Sequence, residues 1–253
     1  MLELCNVSAG YSRSSPILSN VTLTLESGQL TVIIGENGAG KSTLLKTVLG
    51  LLPNRSGSVT LDGQELLTMK RTDIARRIAY LSQGKDTPHM TVAELVLHGR
   101  FPHLQYPRRY TARDREIAQA AMERMHVAQV ANRPLATLSG GMRQSAYLAM
   151  ALSQDTRYIL LDEPTTYLDL PHQLALMRTL CELAHEGRGV VAVMHDLGMA
   201  LSFADRVCLL QSGTVALCGT PREIAAHPLT KELFGVTPVE LPNGTFYCAY
   251  PSR

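Results

Sequence analysis

Residues Gly35 to Ser42 read GENGAGKS, which places glycines, a lysine and a hydroxyl at the G-x-x-x-x-G-K-[ST] spacing. The glycines would let the backbone curl so that its N–H groups face a β-phosphate, Lys41 would neutralise the β- and γ-phosphates, and Ser42 would offer its hydroxyl to Mg²⁺. The apolar run LTVIIG precedes this segment and a helical pattern follows it. The sequence therefore predicts a phosphate-binding loop for a nucleotide, and this loop consists of Gly35, Glu36, Asn37, Gly38, Ala39, Gly40, Lys41, Ser42 and Thr43.

Polar side chains also follow three other apolar strand patterns. Asp162 ends the run YILLD, where it would hold Mg²⁺, and Glu163 comes next as the candidate general base for an attacking water. Gln83 and His195 follow IAYLS and VVAVM. Because ligands bind beyond the carboxyl ends of parallel strands, we expect these residues to meet the phosphate loop at one rim. Gln83 would contact Mg²⁺ or the water, and His195 would hydrogen-bond a γ-phosphate.

A second anion-binding device follows in LSGGMRQ, where Ser139 can cap a helix and Gly140 and Gly141 leave the N–H groups uncovered. One helix terminus contributes about 0.3–2 kcal/mol to anion binding, whereas millimolar binding needs about 4 kcal/mol. We therefore interpret this helix start as an additional binding surface for a nucleotide that is bound mainly elsewhere, most naturally by a second copy of the chain.

The pattern of elements indicates an α/β fold. Buried strands alternate with helices, which predicts a parallel sheet, while LELCNVSAGY, VTLTLESG and GSVTLDGQEL alternate as antiparallel strands do. A mostly helical stretch interrupts the strand series. Near the end of the chain, Ser212-Gly213 is predicted as a hairpin turn and Pro221 as the first turn of a helix. We expect one domain, 1–253, whose core and β subdomain are 1–84 and 155–253 and whose helical subdomain is 85–154.

Composition excludes several classes of protein. The 253 residues carry 24 Lys and Arg against 22 Asp and Glu without a basic stripe, which argues against a nucleic-acid partner. The five cysteines show no C-x-x-C pair, so reduced thiols are expected. The first residues do not read as a signal peptide, and no apolar run approaches the ~18 residues of a membrane helix. The eight histidines show no H-x-x-x-H spacing and no Cys/His ligand pattern.

Taken together, these motifs resemble the ATP-binding subunit of an ABC transporter. GENGAGKST resembles the Walker A motif, YILLDEP the Walker B motif and LSGGMRQ the signature, although Met142 and Ser145 depart from the usual residues. The single-residue matches are Gln83 for the Q-loop, Asp169 for the D-loop, His195 for the H-loop and Tyr11 for the aromatic residue that stacks on adenine.

The resemblance implies a P-loop NTPase (RecA-like) core with an N-terminal antiparallel β subdomain and an inserted helical subdomain, and an ATPase that uses ATP and Mg²⁺. It also implies a head-to-tail homodimer whose signature contacts the partner copy's nucleotide through Ser139, Gly140, Gly141 and Gln144. Two membrane-spanning permease subunits and a substrate-binding protein would complete the transporter, with this subunit peripheral on the cytoplasmic face of the bacterial inner membrane.

Three longer segments resemble one branch of that family, the importers of ferric siderophores, haem and cobalamin: VLHGRFPHL, AMALSQDTRYILLDEPTTYLDLPHQ and PLTKELFGV. Within them, GRFPH and DEPTTYLDLPHQ most resemble the siderophore members. The siderophore members are the nearest match, and the alternatives are haem or cobalamin uptake. GRFPHL could instead only shape a surface loop. A soluble ABC ATPase of DNA repair or translation is disfavoured by the single P-loop and the lack of sustained heptads. A GTP switch is disfavoured because N-K-x-D is missing.

Overall fold

The computed structural model describes residues 1–12, 15–83, 87–166 and 168–250. The predicted boundary between Gly84 and Lys85 therefore lies outside the described residues, and so does Tyr167 of the segment DEPTTYLDLPHQ. The chain forms two compact units, one of residues 1–69 and 177–253 and the other of residues 70–176. The division at 84/85 and 154/155 stays a prediction.

In chain order, the strands are β1 (Leu2–Ala9), β2 (Leu18–Leu25), β3 (Leu30–Ile34), β4 (Asn54–Leu61), β5 (Gln64–Glu65), β6 (Ile78–Leu81), β7 (Tyr158–Asp162), β8 (Gly189–Met194), β9 (Arg206–Gln211), β10 (Thr214–Gly219), β11 (Thr237–Glu240) and β12 (Phe246–Ala249). The α-helices are α1 (Lys41–Val48), α2 (Arg71–Ala75), α3 (Val92–His98), α4 (Ala112–Arg124), α5 (Gly140–Ser153), α6 (Leu170–His185), α7 (Leu197–Phe203), α8 (Pro221–Ala226) and α9 (Pro228–Phe234).

The first unit contains both kinds of strand that the sequence predicts. The antiparallel strands are ordered β2-β1-β4-β5, and β2 alternates between buried and exposed side chains, as a sheet with one solvated face does. Strand β3 pairs in parallel with β8 and β9, and all side chains of β3 and β8 are buried. The mixed character of the fold is thus confirmed, and Pro221 begins α8 as predicted.

Strands β9 and β10 form a hairpin whose two-residue turn is Ser212-Gly213, as predicted, and both residues have positive φ. The hairpin also corrects one expectation. Cys208 and Cys218 face each other across the strands with their Cα atoms 4.1 Å apart and form a disulfide, so reduced thiols are wrong for this pair. A search for C-x-x-C could not find it, because antiparallel register pairs residues at a separation set by the turn.

The second unit combines a parallel strand pair, β6 and β7, with helices. Helices α3 and α4 begin with capping boxes. The hydroxyls of Thr91 and Thr111 accept from the backbone amides of Glu94 and Asp114, and the carboxylates of those residues accept from the threonine amides in return. Helix α5 begins at Gly140, directly after the predicted cap Ser139, and ends at Ser153. No helix in the described part of the chain is both long enough and apolar enough to span a membrane.

The GRFPHL segment packs against the end of α5. A Cβ at Gly99 would clash with the hydroxyl of Ser153, so only glycine fits there. The guanidinium of Arg100 donates to the Ser153 carbonyl at 2.9 Å, and the ring of His103 lies 2.9 Å from the Gln154 carbonyl. These contacts give the segment a packing role inside the helical part of this unit.

Candidate functional site

The phosphate loop begins where β3 ends. A Cβ at Gly35 would overlap the carbonyl oxygen of Leu210, so this position admits only glycine. Gly38 and Gly40 have φ of +84° and +99°, which a residue with a Cβ adopts only at a cost. No heavy atom lies within 4 Å of where a Cβ of Gly38 would stand. The loop therefore presents its backbone openly at its tip and is tightly held at its base.

Lys41 opens helix α1 and points its side chain back along the loop. Its Nζ donates to the carbonyls of Gly35 at 2.7 Å and Glu36 at 2.8 Å, and the residue is only 6% exposed. Helix α1 starts from Gly40 without a capping side chain and has no acidic residue in its first turn. Its positive N-terminus is therefore available to an anion, which fits a phosphate group. Ser42 is half-buried and Thr43 is buried.

Tyr11, the candidate adenine platform, lies in the same unit and is 62% exposed. Lys46 of α1 holds it, because its Nζ lies 3.1 Å from the phenol oxygen and 5.6 Å from the ring centroid. A cation beside an aromatic ring stabilises the ring's position without covering it fully. The exposed ring fits a stacking role, and Lys46 is a contact that the motif search did not find.

His195 follows β8 at the level of the phosphate loop. Strands β3 and β8 are parallel and pair Ile34 with Met194, so Gly35 and His195 leave the sheet at the same edge. His195 is exposed, and the next residue, Asp196, caps α7 by accepting a hydrogen bond from the Met199 amide at 2.8 Å. The predicted convergence of these two strand ends is confirmed within the first unit.

In the second unit, Gln83 and Glu163 come together. Strands β6 and β7 pair Leu81 with Leu161, and the Gln83 amide donates to the Glu163 carboxylate just beyond these strand ends. The Thr166 hydroxyl donates to the same carboxylate oxygen at 3.2 Å. Two donors to one carboxylate oxygen hold the candidate base in one orientation, and the amide oxygen of Gln83 is not used in this contact.

Asp162 is the last residue of β7 and is 5% exposed. Its Oδ2 lies 3.4 Å from the hydroxyl of Tyr80. The oxygens of Ser42, Gln83 and Asp162 are the hard donors that Mg²⁺ prefers. Among the described residues, no group of three or more His, Cys, Asp or Glu side chains is placed to hold a metal ion. The predicted donor set suits an ion that keeps waters and substrate phosphates among its ligands.

The signature segment opens α5 as predicted. The Ser139 hydroxyl accepts from the Met142 amide at 3.3 Å, and Ser139 and Gly140 are exposed at the helix mouth. The Gln144 amide donates to the Pro164 carbonyl at 3.0 Å, which ties this helix to the residue after Glu163. Within the second unit, this hydrogen bond joins the start of α5 to the chain segment that follows the candidate base.

Asp169, the predicted D-loop residue, immediately precedes α6 and pairs with the ring Nδ1 of His172. The hydrogen bond from His172 is the main reason that the pKa of Asp169 is lowered. The Gln173 amide donates to the carbonyls of Thr165 and Leu168, at 3.3 and 3.1 Å. His172 lies within DEPTTYLDLPHQ without an assigned role, although an Asp at a helix start with a donor three residues later is a readable local signal.

Comparison with known proteins agrees with this geometry. Residues 18–166 match the ABC transporter family. The petrobactin import ATP-binding protein FpuD of Bacillus anthracis is 38% identical, over 96% of this chain and 93% of its own length. The ferric enterobactin transport ATP-binding protein FepC of Escherichia coli K12 is 40% identical, over 90% of this chain and 84% of its own. Among solved structures, the dimeric ATP-binding cassette MJ0796 with ADP and Pi covers 88% of this chain and 99% of its own, with a TM-score of 0.76 and 28% identity.

The chain therefore belongs to the ABC transporter family. It is an ATP-binding subunit, and these subunits are ATPases coupled to transport. The predicted fold class, a P-loop α/β fold with an antiparallel β subdomain and a helical part, is confirmed.

Proposed function

We propose that this chain is the subunit whose ATP hydrolysis energises a bacterial importer of ferric siderophores. The assignment of ferric siderophores as the cargo rests on the similarity to the petrobactin and enterobactin subunits over nine-tenths or more of the chain. Haem or cobalamin uptake is the alternative cargo, and a soluble non-transport ABC ATPase is the alternative from another class.

The residues of the phosphate loop would bind the nucleotide. Lys41 and the loop backbone would contact the β- and γ-phosphates, while Tyr11 would stack on adenine. Ser42, Gln83 and Asp162 would hold Mg²⁺, which when bound polarises the phosphoryl oxygens. The exposed Tyr11 ring and the uncapped start of α1 support these roles.

Glu163 would accept a proton from the attacking water, as ATP and water give ADP and phosphate. The donors from Gln83 and Thr166 support this role because they fix the direction of the carboxylate. His195 would hydrogen-bond the γ-phosphate, and its exposure at the edge shared with Gly35 supports that contact.

Two copies would pair head to tail, so that Ser139, Gly140, Gly141 and Gln144 of one copy face the nucleotide of the other, with Asp169 beside them. The exposed helix mouth and the dimeric state of the MJ0796 cassette support this arrangement. The pair would bind two permease subunits and work with a substrate-binding protein at the cytoplasmic face of the inner membrane. No nucleic acid takes part.

Reconstitution with the cognate permease tests the cargo. Vesicles with the wild-type subunit and the binding protein should show ATP hydrolysis that rises with a ferric siderophore and not with haem or cobalamin. The Glu163→Gln variant should bind ATP but neither hydrolyse it nor import the chelate, because the base is lost while the phosphate contacts remain.

The exposed Glu116→Gln is the matched control and should retain full activity. Stimulation by haem or cobalamin alone would replace the cargo with that ligand. An ATP hydrolysis rate that changes with none of the ligands and does not depend on the permease would favour the soluble non-transport ABC ATPase. A wild-type rate in Glu163→Gln would remove this residue from the role of base.

A further inference from the structure

We propose that His172 is a positioning residue of the ATPase reaction, which fixes the Asp169 carboxylate against the mouth of helix α5. The inference rests on the head-to-tail arrangement proposed above, and it assigns a role to a residue that the sequence motifs leave without one.

The first observation is the pairing of His172 and Asp169. The two side chains are three residues apart at the start of α6, and the ring Nδ1 meets the carboxylate Oδ1. A carboxylate has no proton to give, so the imidazole N–H is the donor. The backbone amide of His172 also approaches the same oxygen, at 3.4 Å. The Asp169 carboxylate is therefore held by two groups of His172, the ring N–H and the backbone N–H.

The second observation is the contact between the ring and the signature glycine. A Cβ on Gly141 would lie 3.1 Å from Cδ2 of His172 and 3.4 Å from both Cγ and Nε2. The 3.1 Å distance is shorter than ordinary van der Waals contact and 3.4 Å is at its lower limit, so the ring lies over the space that glycine leaves open. His172 thus pairs with the D-loop residue through one ring atom and places other ring atoms beside Gly141 of the signature helix.

The third observation is that the ion pair of His172 and Asp169 contributes little to folding stability. The side chains of His172 and Asp169 are 57% and 65% exposed. Exposed ion pairs contribute little to folding because water screens both charges. Stability alone gives little reason for so specific a geometry, whereas both partners of His172 belong to segments that would face the nucleotide of the second copy.

The next residue, Gln173, also holds the segment that precedes α6. Gln173 fastens the carbonyls of Thr165 and Leu168 on the other side of the turn. The turn between Glu163 and α6 is therefore held by two consecutive side chains, of which only His172 reaches the signature helix. A change at His172 should alter the closing of one copy on the other and leave nucleotide capture by Lys41 unaltered.

The experiment separates the two contacts of the ring. His172→Phe keeps a ring over Gly141 but loses the donor to Asp169, and His172→Asn keeps an amide donor near the place of Nδ1 but loses the ring. We expect His172→Phe to lower kcat about tenfold, as the loss of a hydrogen bond to a charged group does, with the KM for ATP unchanged. His172→Asn should recover at least half of the kcat.

His185→Phe, at the exposed end of the same helix, is the matched control and should keep the wild-type kcat. The melting temperature of every variant should stay close to that of the wild-type chain. A wild-type kcat in His172→Phe would overturn the inference, and so would a fall in kcat that tracks a fall in melting temperature or that His172→Asn does not relieve. Failure of siderophore-stimulated transport with a normal wild-type ATPase rate would overturn the proposed cargo instead.

Discussion

Replacing Arg100 by methionine should lower the free energy of unfolding by about 3–5 kcal/mol, the cost of breaking a buried ion pair on one side. The Nε of Arg100 donates to Oδ1 of Asp114 at 3.0 Å, and both side chains are less than one-tenth exposed. The other carboxylate oxygen accepts from the amide and hydroxyl of Thr111, at 2.9 and 2.7 Å. Methionine would fill most of the space and leave the Asp114 charge buried without a cation.

The pH dependence follows from the same contacts. Burial alone would raise the pKa of Asp114, but the hydrogen bonds from Thr111 and Arg100 hold the pKa below its usual value. A carboxyl group with a depressed folded-state pKa stabilises the fold above its unfolded pKa of about 3.9, and this stabilisation is lost as the pH falls through the folded-state value. The difference between wild type and Arg100→Met should therefore shrink below about pH 4.

Thermal unfolding of the full chain measures the effect. At about 2–4 °C per kcal/mol for a chain of this size, the melting temperature should fall by roughly 6–20 °C. Arg113→Met is the control, because Arg113 pairs with Glu116 at 3.4 Å with both side chains largely exposed, and it should cost no more than about 0.5 kcal/mol.

Arg100→Met combined with Asp114→Asn should recover part of the loss, since the amide still accepts from Thr111 but carries no charge. The reasoning would be refuted if Arg100→Met unfolds at the same temperature as Arg113→Met, or if the double variant is less stable than the single one.

Two further predictions concern the first unit. Gly35→Ala should abolish ATP binding in a titration, because its Cβ would overlap the Leu210 carbonyl, whereas Gly187→Ala, with open space around it, should cost only about 1–2 kcal/mol of stability and leave binding intact; equal ATP affinity in both variants would contradict this. The denatured, unreduced protein should show three reactive thiols, those of Cys5, Cys181 and Cys248, and five after reduction. Five thiols before reduction would show that Cys208 and Cys218 are not joined.

Much of the fold is predictable because it depends on local signals. Buried β-branched runs became β3, β7 and β8, and the strand–loop–helix context of the phosphate loop needs only a glycine pattern and a lysine. Ser139 and the turn at Ser212-Gly213 follow from capping and turn preferences that act within four residues. The interactions that stabilise these features join residues close together in the sequence, so a short window of sequence is enough to predict them.

Other features depend on which distant residues meet. Arg100 reads as a charged surface residue until α4 and α5 bring Asp114 and the Ser153 carbonyl to it, 14 and 53 positions away. The disulfide requires the register of β9 and β10, and the placement of the His172 ring beside Gly141 requires the start of α6 to lie next to the start of α5. Composition and periodicity do not encode these pairings.

The turn at Ser212-Gly213 has a practical consequence for anyone who modifies this protein. Two-residue surface hairpins are usually safe places to insert a tag or fluorophore. Here the Gly213 amide donates to the Ala39 carbonyl of the phosphate loop, its carbonyl accepts from Ser19, and a Cβ would run into the Ile17 carbonyl. An insertion at this hairpin would pull directly on the nucleotide loop, so a label intended to leave hydrolysis undisturbed belongs elsewhere on the chain.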